Sequence, residues 1–238
     1  MITKDIKGIV FNILNYKDND LIVDVFTYDY GFIQLYVKGA AKIKNKSFYI
    51  FKLFNEISFD VAKLDINGLS TYRSGSIIKV FDYTKLDYTQ INCSMLVSEL
   101  LVKIKETKDF DIKHYYLDLQ LLLNLMQESD TLFHINYFLN KTLIILGSGL
   151  VLDECQVCGS KKEIVGFSPI LSGFVCSNDR QDNMLCDKDL LLYLFNLNNI
   201  EAKVNKAYDK LVFELIYEYL VNNTGIYLQA KKYILGGI

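Results

Sequence analysis

The chain has 238 residues, of which 51% are hydrophobic, with a single proline and no tryptophan. That is apolar material enough for one or two packed domains, and it excludes a disordered or low-complexity chain. A formal net charge of −2 excludes a globally basic nucleic-acid binder, and no run approaches the ~18 apolar residues of a membrane helix.

Charge is uneven along the chain. Residues 1–80 carry 11 Lys/Arg against 8 Asp/Glu, residues 81–150 carry 6 against 9, and residues 151–238 carry 9 against 11. The positive end is therefore N-terminal. The first eight residues, Met1 to Gly8, lack the apolar core of a secretory signal. Four of the five cysteines cluster between Cys155 and Cys186. Without a signal, such a cluster reads as a metal site or as reduced thiols, and a cytoplasmic location is expected.

Residues 6–80 read as strands. Ile9–Leu14 is followed by a polar turn over Asn15–Asp20, then Leu21–Thr27, a turn ending at Gly31, and Phe32–Val37. Phe54–Ala62 and Gly68–Phe81 are two further candidates. Five short runs, β-branched and aromatic, separated by turn residues, suit a small barrel such as an OB fold. Between the third and fourth lies Lys38-Gly39-Ala40-Ala41-Lys42-Ile43-Lys44-Asn45-Lys46-Ser47, with four lysines and no acid. It is either a solvated loop or a phosphate-contacting loop, since lysines that neutralise phosphates release counterions.

From Tyr88 the period changes. Ile91, Met95, Leu96, Ser98, Glu99, Val102 and Lys103 fit a helix with one apolar stripe. Helices are also expected over 113–127, over 131–146 after an Ser129-Asp130 cap, over 187–197 behind Asp187-Lys188-Asp189, and over 205–222. Gly147 and Gly149 should end the third of these five helices.

Cys155-Gln156-Val157-Cys158-Gly159 has the form of a zinc knuckle: two thiolates two residues apart, with a glycine for the tight turn. Cys176 follows Cys158 after 17 intervening residues, the spacing expected of a second knuckle. Its partner position is Asp179. A carboxylate can ligate zinc, and Cys186 is an alternative fourth ligand. The segment is either a structural zinc ribbon or a ribbon that keeps its fold by packing without metal. An open catalytic zinc site is not expected, because no histidine lies nearby.

With these residues in view the chain resembles the RecO family of recombination mediators. The resemblance runs in family order through Gly8-Ile9-Val10, Tyr16-Lys17-Asp18-Asn19-Asp20, Val25-Phe26-Thr27, Gly31 and Lys38-Gly39-Ala40. It continues through Leu146-Gly147, the Cys155 knuckle, Phe167-Ser168-Pro169, Ser172-Gly173-Phe174-Val175-Cys176, Tyr219-Leu220 and Lys231-Lys232-Tyr233-Ile234-Leu235. The chain departs from the family pattern at Asp179 in place of a fourth cysteine, and at Ser172-Gly173 in place of a glycine pair. It also has Tyr137 where an arginine is usual before Phe138, and Gln229-Ala230 near a usual serine.

The resemblance implies an α+β chain: an OB barrel over 1–81, an α-helical domain over 82–152 and 187–238, and a zinc-ribbon-like insert over 153–186. It implies a non-enzymatic protein that binds single- and double-stranded DNA, anneals complementary strands, and acts with RecR to help load RecA. The C-terminal tail of single-stranded DNA-binding protein is an implied partner, and no membrane is. On the barrel, Lys38, Lys42, Lys44 and Lys46 are the expected phosphate contacts, with Arg73 and Lys79 as further candidates. Tyr36 and Tyr49 are either stacking platforms or core. Phe138, Lys141 and Lys113 are expected to form the pocket for the partner's tail.

Two other classes compete. One is a zinc-ribbon adaptor without direct DNA affinity, which the acidic balance favours. The other is an enzyme, but the chain has neither a G-x-x-x-x-G-K loop nor an H-E-x-x-H helix. His114, His134 and Cys93 show no pattern of an activated nucleophile with an orienting third group.

Overall fold

The structure is a computed structural model and describes residues 3–127, 131–234 and 236. The chain forms two compact units, Met1–Gln127 with Leu228–Ile238, and Glu128–Tyr227.

The first unit begins with five strands: β1 (Thr3–Tyr16), β2 (Asp20–Thr27), β3 (Gly31–Val37), β4 (Glu56–Lys63) and β5 (Leu69–Lys79). They close in the order β1-β2-β3-β5-β4, with β4 also paired to β1 and with β3–β5 parallel. This is the expected OB barrel. Alternation fills its interior: Val23, Val25, Ile33, Leu35, Val37, Ile57, Phe59 and Val61 are all buried. Gly8 lets β1 pass β2 closely, since a Cβ there would lie 2.5 Å from Val25 Cγ1.

β1 is longer than its apolar run. The expected turn over Asn15–Asp20 shrinks to three residues, because the ladder continues through Asn15↔Leu21 to Tyr16↔Asp20. Lys17 supplies the turn's positive φ of 52°. Leu14, Asn15 and Tyr16 are all exposed at this end of the strand, so the ladder there is held by backbone pairing and not by burial. A single helical turn, α1 (Ser47–Ile50), follows the basic loop and was not expected.

Two helices complete most of this unit. α2 (Tyr88–Ile104) opens with a capping box in which Asp87 accepts from the Gln90 amide and the Gln90 side chain accepts from the Asp87 amide. Its buried face is not the one expected. Cys93, Leu96, Val97, Leu100, Leu101 and Ile104 are buried, while Met95 is 49% exposed. The deeper stripe runs 93-96-97-100-104, and it keeps the i, i+3, i+4 spacing over a longer span. α3 (Ile112–Leu125) is capped by Asp111, whose side chain accepts from the His114 amide.

The second unit holds α4 (Thr131–Ile145), a three-stranded sheet of β6 (Val151–Cys155), β7 (Ile164–Ser168) and β8 (Gly173–Cys176), then α5 (Lys188–Asn196) and α6 (Asp209–Thr224). A short C-terminal turn, α7 (Lys231–Ile234), belongs to the first unit. The sheet order is β6-β8-β7. The expected Ser129-Asp130 cap lies outside the described residues. Gly147 ends α4 in the left-handed region at φ 73°, and a Cβ on Gly149 would meet Ile144 Cγ1 at 2.8 Å, so both glycines serve the stop. Asp187 caps α5 by accepting from the Leu190 amide. α6 starts at Asp209, later than the expected 205, because Asn205 first caps a 3₁₀ turn at Lys206–Tyr208. Among the described residues no helix is long and apolar enough to cross a membrane.

Candidate metal centre and nucleic-acid interface

Two strand ends and one turn build the metal centre. β6 delivers Cys155, and the chain then turns through Cys158 to Gly159, whose φ of 71° lies in the left-handed region that favours glycine. The turn is closed by Gly159 N–H donating to Cys155 O and by Cys155 N–H donating to Ser160 O, both at 2.8 Å. β8 delivers Cys176, and the 3₁₀ turn after it carries Asp179 back over the knuckle.

The four donor atoms of Cys155, Cys158, Cys176 and Asp179 all lie within 4.8 Å of one another and can hold a metal ion. Asp179 Oδ2 is 3.3 Å from Cys155 Sγ and 3.2 Å from Cys176 Sγ, and the Cys158 and Cys176 sulfurs are 3.7 Å apart. Tetrahedral zinc with bonds of about 2.3 Å to sulfur and 2.0–2.2 Å to oxygen sets S···S edges of about 3.8 Å and S···O edges of about 3.5 Å. The residues present fit that ion. Cys186 stands apart, its thiol donating to Met184 O at 3.6 Å. Among the described residues the cluster that could hold a metal ion includes Asp179 and not Cys186.

Electrostatics in the cluster follow from one carboxylate among three thiols. The Asp179 carboxylate beside it pushes the Cys158 thiol up to about 12. In turn the thiols of Cys158, Cys176 and Cys155 donate to Asp179 and hold its carboxyl below the usual range. Burial disfavours a thiolate at Cys155, but the amides of Cys158, Cys176 and Val157 outweigh it and bring that thiol down. Protons occupy the places that a cation would fill.

On the barrel, Lys38, Lys42, Lys44, Lys46, Arg73 and Lys79 are all exposed. The first four share one loop, and Arg73 and Lys79 lie on β5. Lys79 is already engaged, donating to Asn124 Oδ1 at 2.5 Å.

The lysine loop is pinned at several points. Ala40 is fully buried against the barrel core, Ala41 N–H donates to Asn19 O, and Asn45 Nδ2 donates to Gly39 O at 3.0 Å. Asp20 at the start of β2 holds both sides of β3's end. It accepts from Tyr36 Oη at 2.6 Å and from the Gly39 amide at 2.7 Å. Sequence reasoning places Tyr16 and Asp20 in a run that carries the resemblance but gives neither a role. Tyr36 is half-buried, edge-on to Tyr16 at 6.1 Å, and Tyr49 is 57% exposed against Phe48.

The expected partner-tail residues are dispersed in character. Phe138 is buried at 1% in α4, and Lys141 lies over the Tyr137 ring in the same unit. Lys113 belongs to the first unit, where it pairs with Asp29 at 3.5 Å.

Comparison with known proteins fits this architecture. Residues 1–81 match the family model for the recombination protein O N-terminal part, and residues 85–232 match that for its C-terminal part. A protein named DNA repair protein RecO from Listeria welshimeri is 26% identical over 96% of this chain and 92% of its own length. Proteins of the same name from Mesoplasma florum and Halalkalibacterium halodurans are 25% and 26% identical over 97% and 96% of this chain, and over 90% and 92% of theirs. The chain belongs to the recombination protein O family.

Proposed function

We propose that this protein is a non-enzymatic DNA repair and recombination mediator. It binds single- and double-stranded DNA, anneals complementary strands and, with RecR, helps load RecA onto strands covered by single-stranded DNA-binding protein. The observation that carries this reading is the loop with exposed Lys38, Lys42, Lys44 and Lys46, anchored on an OB barrel through Gly39, Ala40 and Ala41. Four cations on a firm support can neutralise phosphates without first paying to order the loop, and the counterions released favour binding.

In this reading residues 1–81 are the DNA-binding domain, 82–152 and 187–238 the helical domain, and 153–186 a ribbon. One zinc ion held by Cys155, Cys158, Cys176 and Asp179 is structural, because the four donors leave no open position. The acidic tail of single-stranded DNA-binding protein meets the helical domain around Lys141, with Phe138 supporting that helix from the core. The protein works in the cytoplasm, on the nucleoid.

The test is annealing of two dye-labelled complementary strands, followed by energy transfer at low and moderate salt. Acceleration that fades with salt supports the reading. No acceleration at any salt overturns it in favour of an adaptor that contacts proteins only, the reading that the net charge of −2 favours.

A further inference from the structure

Two features of the barrel stand side by side. One is a pair of aromatic rings on its outer surface: Tyr16, 39% exposed at the end of β1, and Tyr36 on β3, with centroids 6.1 Å apart and planes at 88°. The ammonium of Lys17 lies over the Tyr16 ring at 5.2 Å, as a cation does on an open π-face. The other feature is the lysine loop, which leaves β3 one residue after Val37. A single carboxylate joins the two. Asp20 takes the Tyr36 hydroxyl on Oδ2 and the Gly39 amide on Oδ1. Gly39 sits at φ 68°, and its carbonyl accepts from the Asn45 side chain, so the hold on Gly39 extends across the loop.

An acidic residue in this place is unexpected for a phosphate-binding surface. As a free charge it would repel DNA. As a two-handed acceptor it fixes where the rings stand relative to the lysines.

We propose that Asp20 is a positioning residue for nucleic acid, registering a Tyr16–Tyr36 base-stacking platform against the Lys38–Lys46 loop so that one single strand engages both. The bases stack on the rings, and the phosphates of the same strand reach the lysines. Lys17 leaves the Tyr16 face to a base and turns to the backbone. A duplex keeps its bases stacked inside and engages only the lysines, so the platform selects single strands. This inference rests on the DNA-binding reading above.

The experiment is fluorescence anisotropy with a labelled thymidine oligomer and a labelled blunt duplex of equal length. The proteins are the wild type, a variant with the four loop lysines changed to alanine, Asp20→Asn, Tyr36→Phe and Tyr16→Ala. Base–aromatic stacking is worth about 1–3 kcal/mol per base, so Tyr16→Ala is expected to weaken single-strand binding by about fivefold or more. Asp20→Asn and Tyr36→Phe should weaken it in the same direction and leave duplex binding nearly unchanged. The sign for Asp20→Asn is decisive, because removing a negative charge from a site of simple attraction tightens binding of both forms. Tyr36→Phe removes only a hydroxyl and keeps the ring, so it answers the question even if Asp20→Asn folds poorly.

If the lysine variant loses affinity while Asp20→Asn and Tyr36→Phe bind the oligomer as well as or better than wild type, the positioning role is wrong and DNA binding by the loop stands. If the lysine variant binds like wild type, the loop reading itself fails, and the positioning role falls with it.

Discussion

Asp179 Oδ2 stands 3.3 Å from Cys155 Sγ, a carboxylate oxygen where a fourth thiolate would complete a four-cysteine ribbon. Zinc accepts oxygen in that place, with a shorter bond and a harder donor. Purified protein is expected to carry about one zinc per chain, since each donor set of this kind holds one ion. Cys155→Ser should abolish that stoichiometry and loosen the 153–186 segment, and Cys186→Ser should change neither. Asp179→Cys should hold zinc more tightly than wild type. Elemental analysis and chelator competition measure all three. A Cys186→Ser variant that loses its metal would show that the four-donor set is misassigned.

Zinc uptake should release protons and weaken in acid. The Asp179 carboxylate keeps the metal-free Cys158 thiol protonated up to about 12, so a bound cation must displace that proton at any neutral pH. Zinc affinity is therefore expected to rise from pH 6 to pH 8. Binding enthalpy should depend on the ionisation enthalpy of the buffer. Equal affinity at the two pH values would mean the thiols ionise without the metal.

Much of this fold was written locally. β2 and β3 are legible because apolar residues alternate against a closed barrel, and turn residues bracket them. The candidate cluster was legible from residue type and spacing, as a C-x-x-C pair followed after 17 residues by Cys176 and then Asp179. The choice between Asp179 and Cys186 was not, because it depends on how the chain bends after β8. The end of β1 was hidden because Asn15 and Tyr16 pair in the ladder while exposed, so no apolar alternation marks them. The buried face of α2 was misread because Ile91 and Met95 are apolar yet exposed, while buried Gln90, Asn92 and Ser94 interrupt the true stripe. Asp20 was legible as a member of the Tyr16–Asp20 run, but its contacts were not. Its role comes from two partners 16 and 19 residues away.

Replacing Lys38, Lys42, Lys44 and Lys46 by alanine should reduce DNA affinity at low salt. It should also flatten the dependence of log K on log salt, by about one unit per lost phosphate contact. Both measurements matter, since affinity alone can fall through misfolding. An unchanged slope would remove the loop from the interface. Lys79→Ala is expected to do less, because its ammonium is held by Asn124.

Gly8→Ala tests the barrel closure. The new methyl would lie 2.5 Å from Val25 Cγ1 and 3.1 Å from Phe26 O, inside a ladder that pairs Gly8 with Thr27 and with Ile57. Overpacking of this kind costs about 1–3 kcal/mol. The denaturant midpoint should fall without a change in slope. Zinc stoichiometry should not change, since the metal cluster belongs to the other unit.

Helix capping should make stability acid-labile in a defined direction. The Leu190 amide, first, and the Tyr208 hydroxyl hold the Asp187 carboxyl below its ordinary 3.8. At Asp111 the His114 amide and ring do the same. A carboxyl depressed in the folded state contributes stability that is fully present above its unfolded value and is lost as pH falls through its folded value. Asp187→Ala is therefore expected to lower the thermal midpoint by a few degrees at pH 7, through loss of the cap on α5. The gap between wild type and variant should close below about pH 3.8, where the wild-type side chain is itself becoming neutral. A gap that persists undiminished at pH 2 would mean that packing around Asp187, and not its charge, carries the contribution.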